Sequence, residues 1–279
     1  MFDMEGPMIE LAADFHVHPD YSIDAKGSLD EYCEMALTKR LLELCFTTHY
    51  DADPKYAADD AFMVINGNKE KLSDETLTHY FENIRRVHEE YGMLGLMIRG
   101  GLEFGWYEGC EAEVTRIKNK FPVEFSIGGV HSVDGLCLCE ESSKKLFKNM
   151  PLEKLADKYF AKLEKCAASG VFDCLAHIDV YRKYGLEFYG DDILTIHRGR
   201  IEKLFDTMIV HNVGYEVNTS AIRHGHPEYY PTMEIVNLAR EKGVLLRSLG
   251  SDAHCPEQLG LDFEVASSII YDLFPYVDE

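Results

Sequence analysis

Short apolar runs of strand type alternate with amphipathic stretches of helix type from one end of the chain to the other. That rhythm is the one parallel strands joined by helical crossovers produce. The strand-type runs cover residues 9–15, 43–47, 96–102, 123–129, 172–176, 215–218 and 244–249, about seven in all. Several helix ends are legible too. Ser28-Leu-Asp-Glu31 reads as a capping box, because a Ser hydroxyl and a Glu three residues on satisfy each other's orphan backbone donors. Pro151 suits the first position of a helix whose apolar positions Leu152, Leu155, Ala156, Tyr159, Phe160 and Leu163 keep the helical period and stop near Gly170. Residues 232–242 repeat the plan and end at Gly243, where glycine takes a left-handed cap at little cost. Asp51 to Asn68 keeps neither period and predicts a long loop or lid over one end of the fold. No Ser/Gly/Pro-rich linker breaks the pattern, so one domain over residues 1–279 is expected.

Charge narrows the function classes. With 28 Lys+Arg against 49 Asp+Glu the net charge is −21, which repels polyanions and disfavours nucleic-acid polymers as partners. A small anionic substrate stays compatible if a bound metal outweighs the overall field. Met1-Phe-Asp-Met-Glu-Gly is acidic where a signal peptide is basic, and no apolar run approaches the roughly 18 residues of a membrane span. A cytoplasmic protein without a membrane partner is the expectation. The 8 cysteines are scattered, with one Cys-x-Cys and no Cys-x-x-Cys, and read as reduced, mostly buried thiols. Oligomeric state is not legible.

The chemistry lies in where ionisable residues fall. Read to their C-terminal ends, six of the seven runs finish on a potential metal ligand: His16 and His18, His49, Glu103, His131, His177, and Asp252 with His254. In a parallel barrel or doubly wound sheet those ends share one face, where active sites sit. Two residues apart on a strand, His16 and His18 point the same way and can share an ion. His79, His88, His197 and His211 fall in helix-type segments and read as solvated, whereas His224 and His226 suit a cavity lining or a plain loop equally. Imidazoles with a few carboxylates favour zinc, manganese or iron over calcium, and eight or more ligands exceed the needs of one tetrahedral ion. More than one divalent ion is implied, with an acidified bridging water suited to phosphate ester hydrolysis.

At these residues the chain resembles the PHP (polymerase and histidinol phosphatase) family, in its stand-alone histidinol-phosphatase branch. Asp14-Phe-His-Val-His18 resembles the opening His-x-His motif, with Asp24 where a further ligand stands. Phe46-Thr-Thr-His49 is similar to a motif usually written Thr-Asp-His, so the support that Asp would give is missing or passes to Asp51. Gly100-Gly-Leu-Glu103, Ile127-Gly-Gly-Val-His131, Leu175-Ala-His177-Ile-Asp179 and Gly250-Ser-Asp252-Ala-His254 match the remaining motifs. The resemblance implies an α/β fold, a distorted (β/α)7 TIM-like barrel. It implies one ion on His16, His18, Glu103 and Asp252, a second on Glu103, His131 and His177, and a third on Asp24, His49 and His254. Asp252, Glu103 and His254 are then the catalytic candidates. Arg182, Lys183 and Arg223 are the candidate substrate-binding cations for the phosphate oxygens.

The resulting expectation is a phosphomonoesterase that uses a metal-bridging hydroxide on a small phosphorylated substrate. L-histidinol phosphate, of histidine biosynthesis, is the first choice. Another small phosphomonoester, a phosphodiester or phosphotyrosine is the enzymatic alternative, and a non-catalytic metal-binding regulatory module is the alternative of another class.

Overall fold

In the computed structural model, which describes residues 13–273 except 135, 142 and 143, strand and helix alternate as expected. Part of the first predicted run, residues 9–12, lies outside the described residues. The chain runs β1 (Ala13–Val17), α1 (Leu29–Thr38), β2 (Glu43–Phe46), β3 (His49–Tyr50), β4 (Phe62–Ile65), β5 (Asn68–Lys71), α2 (Asp74–Gly92), β6 (Met97–Gly105), α3 (Glu111–Lys120), β7 (Phe125–Gly129), β8 (Ser132–Val133) and β9 (Leu136–Cys137). It continues through α4 (Lys144–Phe147), α5 (Leu152–Ala168), β10 (Cys174–Leu175), α6 (Arg182–Tyr189), α7 (Ile201–His211), β11 (Gly214–Asn218), α8 (Ser220–Arg223), α9 (Met233–Lys242), β12 (Leu246–Gly250) and α10 (Phe263–Leu273).

The main sheet has the order β1-β2-β6-β7-β10-β11-β12, with every ladder parallel and β3 pairing onto the far end of β6. It curls until its edges nearly meet. Val17 bridges Ala253 in parallel register, and the His18 N–H donates to the Ala253 carbonyl at 2.8 Å. The result is a nearly closed barrel of seven parallel strands with helices around it, a distorted (β/α)7 barrel. Side chains alternate across each strand. Leu44, Phe46, Leu102, Phe104 and Leu175 join the core under the helices, while Cys45, Phe125, Ile127, Cys174 and Ala176 form a second, smaller cluster between them.

Local rules explain the crossovers. The Ser28 hydroxyl accepts from Glu31 N–H while the Glu31 carboxylate accepts from Ser28 N–H, the expected capping box. Helix α5 buries one stripe, Leu155, Ala156, Tyr159, Phe160, Leu163, Cys166 and Ala167. At about 1.5–3 kcal/mol for each large apolar side chain, that stripe rather than helix propensity fixes α5 on the barrel. Pro151 and Thr232 stand one residue ahead of their helices as N-caps, and Gly243 closes α9 at φ +79°.

Three expectations need correction. The predicted long loop contains a hairpin, because Asn66 and Gly67 take positive φ and turn β4 back onto β5. Strand β5 escaped notice because Asn68-Lys-Glu-Lys71 is exposed along its length and has no apolar alternation. His197 is not solvated: it lies fully buried in a turn, 3.2 Å from the Glu234 carboxylate. Of the other three, His79 is partly buried and bonds the Tyr21 hydroxyl, while His88 and His211 are exposed. Among the described residues no helix is long and apolar enough to cross a membrane.

Candidate metal centre

All the predicted ligands gather at the C-terminal strand ends, and Glu103 sits at their middle. Strand β6 continues two residues past Glu103, so this carboxylate is held inside a ladder, opposite Ile127 of β7 and His49 of β3. Its two oxygens face different neighbours. Oε2 lies 3.3 Å from His16 Nε2, 3.5 Å from His18 Nε2 and 3.1 Å from His49 Nδ1; Oε1 lies 3.1 Å from His131 Nε2 and 3.4 Å from His177 Nε2. Asp252 Oδ1 approaches His18 Nε2 at 3.4 Å and His16 Nε2 at 3.7 Å.

Three groups have ligand atoms within 4.8 Å of one another: His16, His18 and Asp252; Glu103, His131 and His177; His18, His49 and His254. Asp24 joins the third, with Oδ2 3.7 Å from His49 Nε2 and 3.4 Å from His254 Nε2. This is the grouping the motifs imply, except that His18 stands between the first and third groups. The residues fit divalent ions. His16 Nε2, His18 Nε2 and His49 Nδ1 are buried without a hydrogen-bond partner among the described residues, a costly state for polar atoms that a cation relieves. Nitrogen and carboxylate donors without thiolate suit zinc, manganese or iron.

A supporting layer fixes the ligands. The Glu216 carboxylate, fully buried, accepts from His16 Nδ1 at 2.9 Å, from the His177 backbone N–H at 2.9 Å and from Asn218 Nδ2 at 2.9 Å. With Nδ1–H given to Glu216, the His16 Nε2 lone pair faces the centre. Asp14 ties β1 to the loop after β12, accepting from Ser251 N–H at 2.9 Å and Gly260 N–H at 3.0 Å. Burial pushes the Asp14 carboxyl up to about 6 against those hydrogen bonds. Thr48, where the motif usually has Asp, bonds the Ser22 hydroxyl at 2.7 Å, and Ser22 Oγ accepts from His49 N–H at 3.1 Å. The missing support therefore passes to this hydroxyl pair and not to Asp51, which stays 3.8 Å from His49 Nδ1.

Two of the three expected phosphate-binding cations are otherwise engaged. The Arg182 side chain is buried, 2.7 Å from Asp179 Oδ2, donates to the Tyr229 carbonyl and stacks over Tyr230. Arg223 gives its fork to the carbonyls of Ser251 and Asp252 at 2.8 and 2.9 Å. It thereby holds the turn in which Asp252 takes φ +53°. Lys183 alone of the three lines the cavity of about 570 Å³ above the ligands. His224 lines it too, exposed at its edge, where partial desolvation and the nearby Lys183 lower its pKa. His226 is buried outside the lining.

The electrostatics ask for cations. Burial opposes charge on His16, yet Glu216, Glu103 and Asp252 outweigh it and raise its pKa well above the ordinary range. Burial would likewise raise Glu103, but His16 and His131 hold it well below. Asp51, Asp53, Asp59, Asp60 and Glu140 add acid to the wall, and Lys183 is the one Lys or Arg in the lining among the described residues.

Packing at the ligands leaves no slack. A Cβ on Gly129 would lie 2.5 Å from the His131 ring and 2.8 Å from Glu103 Oε1. Gly129→Ala is therefore expected to displace both ligands, lowering bound metal by about one ion and kcat/KM by about tenfold or more, at an overpacking cost of about 1–3 kcal/mol. Elemental analysis beside thermal melting checks this, and unaltered metal content would refute it.

The family model for the PHP domain matches residues 14–220. A Deinococcus radiodurans protein named "Probable histidinol-phosphatase" is 29% identical over 260 residues, 93% of this chain and 93% of its own. One of the same name from Clostridium acetobutylicum is 23% identical over 257 residues, 92% of this chain and 91% of its own. The crystal structure of histidinol phosphate phosphatase from Lactococcus lactis, complexed with zinc, L-histidinol and phosphate, has a TM-score of 0.75 at 18% identity, covering 95% of this chain and 94% of that one. That last likeness is one of fold.

Proposed function

This chain belongs to the PHP domain family, and on that premise we propose that it is a metal-dependent phosphomonoesterase that hydrolyses L-histidinol phosphate to L-histidinol and phosphate. The observation that carries the reading is Glu103, whose two oxygens face separate groups of imidazoles at the floor of a cavity with one Lys in its lining. Divalent ions held there would supply positive charge to the phosphate oxygens and lower the pKa of a coordinated water toward neutrality.

The ligand sets follow the three groups. His16, His18 and Asp252 would hold one ion, His131 and His177 a second, and Asp24, His49 and His254 a third, with Glu103 shared between the first two. Lys183 adds a cation for a phosphate oxygen. The acids Asp53, Asp59 and Asp60 line the same cavity with Tyr56 and Trp106. Negative charge beside aromatic rings suits a leaving group that carries an ammonium and an imidazole, and disfavours one with a second anionic group. The reading also places the protein in the cytoplasm with a small molecule as its partner.

The test is phosphate release from L-histidinol phosphate, p-nitrophenyl phosphate and a phosphodiester, with manganese or zinc and with a chelator. The expected result is chelator-sensitive turnover far faster on L-histidinol phosphate. Cleavage of the other esters alone would keep the metal chemistry and remove the substrate, and inertness of metal-loaded protein on all three would favour a non-catalytic module. Two variants separate the cations. Lys183→Ala should raise KM about 10–100-fold, the worth of a charge-assisted hydrogen bond of about 1.5–3 kcal/mol, with metal content unchanged. Arg223→Ala should instead loosen metal binding through Asp252; the reverse pattern would overturn the assignment.

A further inference from the structure

Cys137 and Cys139 stand on the wall of the same cavity and take no part in the chemistry above. The hairpin pairs Ser132 of β8 with Cys137 of β9, and the next residue, Leu138, donates its N–H to the His131 carbonyl at 2.6 Å. Leu138 is fully buried in the core under the helices. Leu138 thus seats in the core while the cysteines on either side of it line the cavity.

The two cysteines are partly exposed and stand one residue apart on that wall. The setting differs from that of Cys33, Cys45, Cys110, Cys166 and Cys174, all buried, and from Cys255, which is partly exposed but outside the cavity lining.

We propose that Cys137 and Cys139 form a reversible dithiol–disulfide site, oxidised by a small hydroperoxide that enters the cavity. With hydrogen peroxide, the Cys137 sulfur attacks the O–O bond, which breaks to release one water and leave a sulfenic acid. The Cys139 sulfur then attacks that sulfur, the S–O bond breaks, the S–S bond forms and a second water leaves. Two thiols are oxidised and one peroxide is reduced to two waters. The bond spans a single residue, a small ring of the labile kind that cellular thiols reduce. Closing it moves the segment bonded to the His131 carbonyl, so oxidation reaches a ligand of the centre.

The test is peptide mapping of the full chain after brief exposure to hydrogen peroxide and alkylation of remaining thiols. The tryptic fragment 121–144 contains Cys137 and Cys139 and no other cysteine. In wild-type protein this fragment should resist alkylation and weigh about 2 Da less, the loss of two hydrogen atoms, before the buried cysteines react, and dithiothreitol should restore it. In Cys139→Ser the loss should disappear while Cys137 gains oxygen in steps of about 16 Da. Two alkylatable thiols in wild-type fragment 121–144 after Cys255 has oxidised would overturn the proposal. So would pairing of either cysteine with a different one. The wild-type arm reads the answer even if the variant folds poorly.

Discussion

Glu103→Gln should lower kcat on L-histidinol phosphate by about a thousandfold, some 4 kcal/mol of transition-state stabilisation, while the fold persists. The amide keeps the shape of the carboxylate but not its charge, and its nitrogen offers no lone pair to an ion. Because Oε2 faces His16, His18 and His49 while Oε1 faces His131 and His177, one substitution weakens two ligand groups together. Metal content should fall by more than one ion per chain. A His131→Ala variant should lose about one. Elemental analysis beside steady-state kinetics separates the cases, and a Glu103→Gln protein with full metal content and turnover would remove Glu103 from the centre.

Glu216→Ala should have the next largest effect, and chiefly on stability. The carboxylate accepts from three buried donors, His16 Nδ1, the His177 N–H and Asn218 Nδ2, and truncation leaves all of them unpaired. Breaking a buried, hydrogen-bonded charge in this way costs about 3–5 kcal/mol. Metal affinity should fall about 10–100-fold, as for other groups that orient a ligating imidazole. Glu216→Gln keeps an acceptor oxygen and should lie between Ala and wild type in both measures. Urea unfolding with metal titration gives both, and a destabilisation under about 1 kcal/mol, that of an ordinary surface change, would mean that the donors find other partners.

Much of the fold was legible because strand and helix impose different periods, and the candidate ligands other than Asp24 were legible because each stands near where an apolar run stops. Glu103 and His177 show the limit of that rule. Strand β6 outruns its apolar pattern to Gly105, whereas β10 keeps only Cys174 and Leu175. Glu216 escaped for the opposite reason, since it lies inside a strand between Tyr215 and Val217 and has no terminal position to mark it. The signal available was the pair Glu216 and Asn218 at strand spacing, two polar residues facing the side that the ligands share.

Arg182 and Arg223 lie outside the cavity lining, and nearness in sequence to a ligand candidate does not say where a long side chain ends. Asp179, three residues before Arg182, was the cue to a local ion pair. No comparable cue preceded Arg223, whose acceptors are backbone carbonyls of another loop. Asn66-Gly67 did carry a turn signal, but the charged β5 beside it hid the hairpin.

The central claim is that Glu103, shared between two groups of residues that would hold divalent ions, serves the hydrolysis of a small phosphomonoester with a cationic leaving group, and the most direct measurement is a metal titration. Protein stripped by chelator is loaded stepwise with manganese while bound metal and phosphate release from L-histidinol phosphate are followed together. The predicted result is no turnover in stripped protein and turnover that rises only as more than one ion binds per chain. Full turnover by stripped protein, or none by loaded protein, would contradict it.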